Sequence, residues 1–215
     1  MFNWGGRKRS DTAPSPDAPA LPTETPAASK VLPKFLAALS SREAPVLLDL
    51  GPVVGTNVEF FGERLACRIH VLDLLTDVEA HSRGGGGEGL AEVLAARITL
   101  PYDSVDGLLC WDLFDFLDRP TGQSLARHLV KLLKPGGALY AFFGTTPIEL
   151  RQYTRYVADG DQAFRLRTSP ATPVTRLVLA NRDIGRMFEP LAVTESVLLK
   201  SSTRETLFRK PTADG

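Results

Sequence analysis

"LLDLGPVVGTNVEFF", residues 47–61, is the stretch on which the fold turns. An apolar run ends in Asp49, a turn opens with Gly51 and closes with Gly55, and a helical pattern follows with Val58, Phe61 and Leu65 on one face, capped by Thr56 or Asn57. "CRIHVLDL" (67–74) then reads as a second strand ending in Asp73, 22 residues after Gly51. Strand, glycine turn, helix, and a second strand closing on an acid form the nucleoside-binding arrangement of doubly wound sheets. The turn itself departs from that pattern, because Pro52, Val53 and Val54 stand where small residues are usual. Val53 brings a stiff β-branched side chain and Pro52 removes one backbone donor.

The same alternation continues outward and predicts a parallel sheet covered by helices. "LAEVLAARI" (90–98) is helical, and "DGLLCW" (106–111) is a buried strand that delivers Trp111 and Asp112. "GQSLARHLVKLLKPGG" (122–137) stacks Leu125, Leu129 and Leu132 on one helical face before a Pro-Gly-Gly stop, and "ALYAFF" (138–143) is the next strand. "TTPIELRQY" (145–153) predicts a helix, with a capping box from Thr146 to Glu149 and Pro147 at its first position. Near the end, "RDIGRMF" predicts a short helix, and "VTESVLLK" and "ETLFRK" are strands joined only by "SSTR", which forces them antiparallel.

Two stretches read as irregular. Residues 10–28, rich in Pro, Ala, Ser, Thr and Asp, cannot bury enough apolar surface to order themselves, so residues 1–29 are expected to be a disordered tail and residues 30–215 one domain. "HSRGGGGEG" (81–89) reads as a mobile loop, either an ordinary insertion or a lid.

Composition narrows the function. Lys plus Arg and Asp plus Glu both number 25, so no overall field draws the chain to nucleic acid. Cys67 and Cys110 sit in apolar runs without a framework, and three scattered histidines give no metal-ligand spacing, so no metal is expected. No run reaches the ~18 apolar residues of a membrane span, and a cytoplasmic protein is expected. "MFNWGGRKRS" combines two aromatics with three basic residues and reads either as a solvated tail or as a segment that touches a membrane surface or a protein partner.

Taken in order, "LLDLGPVVG", Asp73, "LPYDSVDGLL", "LVKLLKPGGALYAFF" and the closing pair "FEPLAVTESVLLKSSTRETLFRK" resemble the class I S-adenosylmethionine-dependent methyltransferases over about residues 31–211. The resemblance implies a Rossmann-like, doubly wound, mostly parallel seven-stranded sheet with a C-terminal antiparallel hairpin. It implies S-adenosylmethionine as cofactor and a small-molecule acceptor. It implies that Asp49, Gly51 and Gly55 belong to the first cofactor motif, with Val53 replacing its middle glycine, and that Asp73 binds the ribose hydroxyls. The acid expected near the adenine is missing from "LAARITLPY". Trp111 and Asp112 match the positions that line the methionine portion and the substrate entrance.

Each residue also has a plainer reading. Gly51 and Gly55 serve a tight turn, Asp73 caps the following turn, and Trp111 is core or, alternatively, faces the sulfonium through its ring quadrupole. Asp112 is the candidate base or orienting group, with Phe114, Asp115 and Phe116 as a substrate wall. Arg151, Arg155, Arg165 and Arg167 point either to an anionic substrate or to a solvated surface. Two functions follow: a small-molecule methyltransferase, or a non-catalytic binding or regulatory protein on the same fold with weakened cofactor binding.

Overall fold

A computed structural model describes residues 24–212. Its centre is a six-stranded sheet whose apolar runs are buried on both sides, as parallel strands under helices must be. In chain order the elements are β1 (Thr25–Ala28), α1 (Leu32–Ser40), β2 (Val46–Asp49), α2 (Gly55–Leu65), β3 (Arg68–Val71), α3 (Leu74–Arg83) and α4 (Leu90–Arg97). There follow β4 (Val105–Trp111), a 3-10 turn at Leu113–Phe116, α5 (Arg119–Leu132), β5 (Leu133–Gly144), β6 (Glu149–Ala158), β7 (Ala163–Thr175), α6 (Asn181–Met187), β8 (Ala192–Leu198) and β9 (Thr203–Arg209).

The main sheet runs β3-β2-β4-β5-β9-β8. The first four strands are parallel, β9 returns antiparallel to β5, and β8 pairs antiparallel with β9, as the short "SSTR" connection required. Leu48, Leu108, Leu139 and Phe208 share a register and face a core filled by α3, α4, α5 and α6. Leu47, Leu109, Tyr140 and Leu207 face the other core, against α1 and α2. A Cβ on Gly107 would lie 2.7 Å from a methyl of Leu39, so this strand position must be glycine for α1 to approach.

Six strands pair where seven are expected. The stretch 98–104 between α4 and β4, which turns at Tyr102 and Asp103, does not join the sheet; the amides of Asp103 and Ser104 bond instead to the carbonyls of Lys131 and Leu132 at the end of α5. The helix expected from Thr146 is also absent. Residues 149–158 are β6, in which Tyr153 and Val157 are buried and the intervening positions are more open. Pairing with β7 outweighs the local capping signal there.

β6, β7 and β1 form a second, antiparallel sheet of order β1-β7-β6. β1 lies within the segment expected to be disordered, so order begins ahead of Lys30. Ser29 consolidates it by accepting the Leu32 amide at 2.8 Å and donating to the fully buried Glu205, which also receives the Tyr140 hydroxyl. The aromatic and basic stretch 2–9, and residues 1–23 of the expected tail, lie outside the described residues.

Helix α2 starts at Gly55 with Val54 as its N-cap, two or three residues before the expected Thr56 or Asn57. Asn57 is buried and does something else: its side chain donates to the Tyr156 carbonyl at 2.7 Å and accepts the Ala158 amide at 2.8 Å, fastening β6 to α2. The glycine run forms the turn between α3 and α4, with positive φ at Gly85, Gly86, Gly87 and Gly89. Arg97 at the end of α4 pairs with Asp77 in the first turn of α3, so the helices are antiparallel. The glycine turn therefore lies at the opposite end of α3 from Asp73, which removes it from the role of a lid. No helix among the described residues is long and apolar enough to cross a membrane.

Candidate active site

The carboxyl ends of β2, β3 and β4 bring the expected residues to one edge of the sheet, where doubly wound folds bind ligands. They do not form a single cleft. Asp49, Gly51 and Trp111 make one tight cluster. Asp73 and Pro52 line a separate groove, Val53 and Gly55 a third hollow, and Asp112 a partly open cavity.

In the cluster, the buried Asp49 accepts the Gly51 amide at 2.9 Å and the Trp111 indole N–H at 2.6 Å. Burial pushes its carboxyl up to about 6 despite these two bonds, and the charge of Asp73 adds to the rise. A Cβ at Gly51 would lie 2.4 Å from the Trp111 ring, so glycine is required because the indole packs directly on the turn. Trp111 has φ of 49°, an uncommon backbone for a bulky residue. Its ring stacks on Tyr156 at 5.2 Å and 8°, and Tyr156 stacks on Phe142 at 4.6 Å and 10°. Trp111 is therefore both core and partition, with the first turn on one side and the hairpin aromatics on the other.

Asp73 caps α3, accepting the Thr76 amide at 3.0 Å and the Thr76 hydroxyl at 2.9 Å. It remains half-buried beside a groove of about 260 Å³ that Thr76, Tyr153 and Arg155 complete. Val53, at 62% exposure, points to solvent, and Gly55 meets no atom where a Cβ would stand. The bulk introduced by Val53 thus does not press on the turn.

Asp112 is 8% exposed, and its Oδ1 has no hydrogen-bond partner. Burial, reinforced by the charge of Asp115, pushes its carboxyl up to about 7. Asp115 is better provided. It accepts the Gly144 amide at 3.0 and 3.1 Å and lies 2.8 Å from the Arg176 guanidinium, although burial still carries it to about 6.

Most of the arginines read from the sequence are neutralised: Arg151 by Glu149, and Arg165 and Arg167 by Glu24. Arg155 borders both the Asp73 groove and the Val53 hollow and makes no ion pair among the described residues. Sequence reasoning missed Tyr156, Phe164 and Arg176, which reach the site on the second sheet or just after it. The i, i+3 spacing of Tyr153 and Tyr156 agrees with the helix reading, so no local signal exposed these residues.

No family model and no curated protein matches the sequence. Solved structures do match in fold. The PH0226 protein from Pyrococcus horikoshii OT3 superposes with a TM-score of 0.52 at 13% identity, over 84% of this chain and 87% of that one. A S-adenosylmethionine-dependent methyltransferase from Mesorhizobium loti superposes with a TM-score of 0.52 at 14% identity, over 83% of this chain and 96% of the other. Together with the parallel sheet and its closing hairpin, these similarities establish that the chain has the class I S-adenosylmethionine-dependent methyltransferase fold.

Proposed function

We propose that the protein is an S-adenosylmethionine-dependent methyltransferase acting on a small molecule. One observation carries the reading: at the ligand-binding edge of this fold, Asp112 holds an unpartnered, buried carboxylate oxygen in an aromatic-walled cavity, next in sequence to the residue that packs on the Gly51 turn.

The groove fits the ribose half of the cofactor. Each oxygen of Asp73 holds one hydrogen bond from Thr76 and retains acceptor capacity for a hydroxyl. The methionine half does not fit while the indole of Trp111 rests on Gly51; room for it requires that ring to leave its stack with Tyr156. S-adenosylmethionine, when bound, supplies an electrophilic methyl group. The chain's own contribution is positioning and a dry site. Asp112 orients an N–H or O–H of the acceptor and, with its carboxyl near 7, takes up a proton around neutral pH. Arg176 and the Gly144 amide hold Asp115 in place beside it.

Calorimetric titration with S-adenosylhomocysteine tests the reading. Saturable binding is expected, weakened at least about tenfold in Asp73→Ala with the fold intact, because a charged hydrogen-bond acceptor is lost. No heat at millimolar ligand would overturn it. That outcome would favour the second reading, a non-catalytic binding or regulatory protein, for which the filled space over Gly51 speaks.

A further inference from the structure

The cavity beside Asp112 has a volume of about 310 Å³, at the lower end of small-molecule sites. Phe142, Tyr156 and Phe164 form its walls, and the backbone of β1 closes one side. Among the described residues that line it, the charged ones are Asp112, Asp115 and Arg176.

These three charges do not balance. Arg176 pairs with Asp115 at 2.8 Å and rests against the strand at Gly144, where a Cβ would stand 2.2 Å from the guanidinium carbon. Asp115 also takes the Gly144 amide. Asp112 has the Tyr156 hydroxyl as a hydrogen-bonding neighbour but no counterion of its own, and its Oδ1 stays unpartnered in surroundings where an unpaired carboxylate oxygen is costly. A purely apolar occupant would leave it unpaired. An anionic occupant would add a like charge beside two acids. A cation with an N–H to donate satisfies it.

We infer that this cavity binds a small molecule with an apolar body and a protonatable amine, the amine directed at Asp112. The binding stands without any cofactor; only the role of that molecule as methyl acceptor rests on the methyltransferase reading above.

The test uses three matched probes on the full chain: 2-phenylethylamine, 2-phenylethanol and 3-phenylpropanoate, titrated by NMR without cofactor. The amine should bind saturably and at least about tenfold tighter than the alcohol, the margin of one charge-assisted hydrogen bond, and the carboxylate should not bind. Its shifts should centre on Asp112, Tyr156, Phe164 and Ala27. Asp112→Asn should remove the preference for amine over alcohol. Equal affinity for amine and alcohol, shifts centred elsewhere, or no saturation at millimolar amine would overturn the assignment. Should Asp112→Asn fail to fold, the probe ranking and shift map of the wild type decide. Saturation by the amine without S-adenosylhomocysteine binding sinks the methyltransferase reading and leaves the cavity assigned. The converse sinks the cavity assignment alone.

Discussion

Glu79 and Asp112 are both carboxylates met by the β6–β7 hairpin, but in opposite conditions. Glu79 accepts the Tyr153 hydroxyl at 2.6 Å, the Thr172 amide at 2.9 Å, the Thr172 hydroxyl at 2.7 Å and Arg83 at 2.9 Å. Burial alone would raise its carboxyl, but the bonds from Tyr153, Thr172 and Arg83 outweigh it and hold it at about 2. Asp112, beside the Tyr156 hydroxyl, keeps an oxygen without a partner and is pushed up to about 7, by burial first and Asp115 second. A carboxylate whose acceptor sites are filled fastens the hairpin; one whose site is open beside a cavity is available to a ligand.

The largest effect is expected where the fastening is cut. Glu79→Ala strands the Tyr153 hydroxyl and the Thr172 amide and should cost about 3 kcal/mol, a fall of roughly 6 to 12 °C in melting temperature for a chain of this size. The contribution of Glu79 is fully present above its ordinary 4.5 and is lost as pH falls toward about 2. The gap between wild type and variant, followed by thermal melts, should therefore close over that interval. A gap that persists at pH 2 would mean Glu79 acts through packing rather than charge.

Deleting residues 1–29 removes β1 and the Ser29 contact with Glu205, and a loss of about 2 kcal/mol is expected from those hydrogen bonds. An unchanged melting temperature would show that β1 adds nothing to the sheet it borders.

Asp112→Asn should act in the opposite direction from Glu79→Ala. The folded carboxyl is raised above its ordinary 3.8, so its favourable contribution is present below that value and disappears as pH rises through about 7. The variant should thus gain on the wild type by a few degrees between pH 4 and pH 8, read as the difference of two melting curves. A constant difference would refute the buried charge. The smallest effect belongs to Val53→Gly. The side chain is exposed, so stability should fall by no more than about 1 kcal/mol, the entropic cost of glycine, and S-adenosylhomocysteine affinity should change little.

The parallel strands and closing hairpin were legible because each is a local pattern: a continuous apolar run for β2, β4 and β5, and a connection too short for a crossover between β8 and β9. β1 was not, since nothing in "TPAA" favours a strand; its order comes from pairing with residues 163–166 far along the chain. For β6, the Thr146, Pro147 and Glu149 signal describes a helix start that tertiary pairing with β7 overrides. At the sheet edge, Asp49, Asp73, Trp111 and Asp112 were each read from the sequence as candidates, but not that Trp111 would bond Asp49 and divide the edge into separate hollows. That division depends on Tyr156 and Phe142 stacking across two sheets, a relation no short stretch encodes.

The position of Trp111 has an optical consequence. The sequence contains two tryptophans, Trp4 and Trp111, so a Trp4→Phe protein would emit from a single indole. That indole donates to a titrating carboxylate on one edge and stacks on a phenol ring on its face. Occupants on either side of the ring would alter its emission by different means: displacement from Gly51 on one side, and disturbance of the Tyr156 stack on the other. The residue that separates the two halves of the site is thus a built-in fluorophore for both.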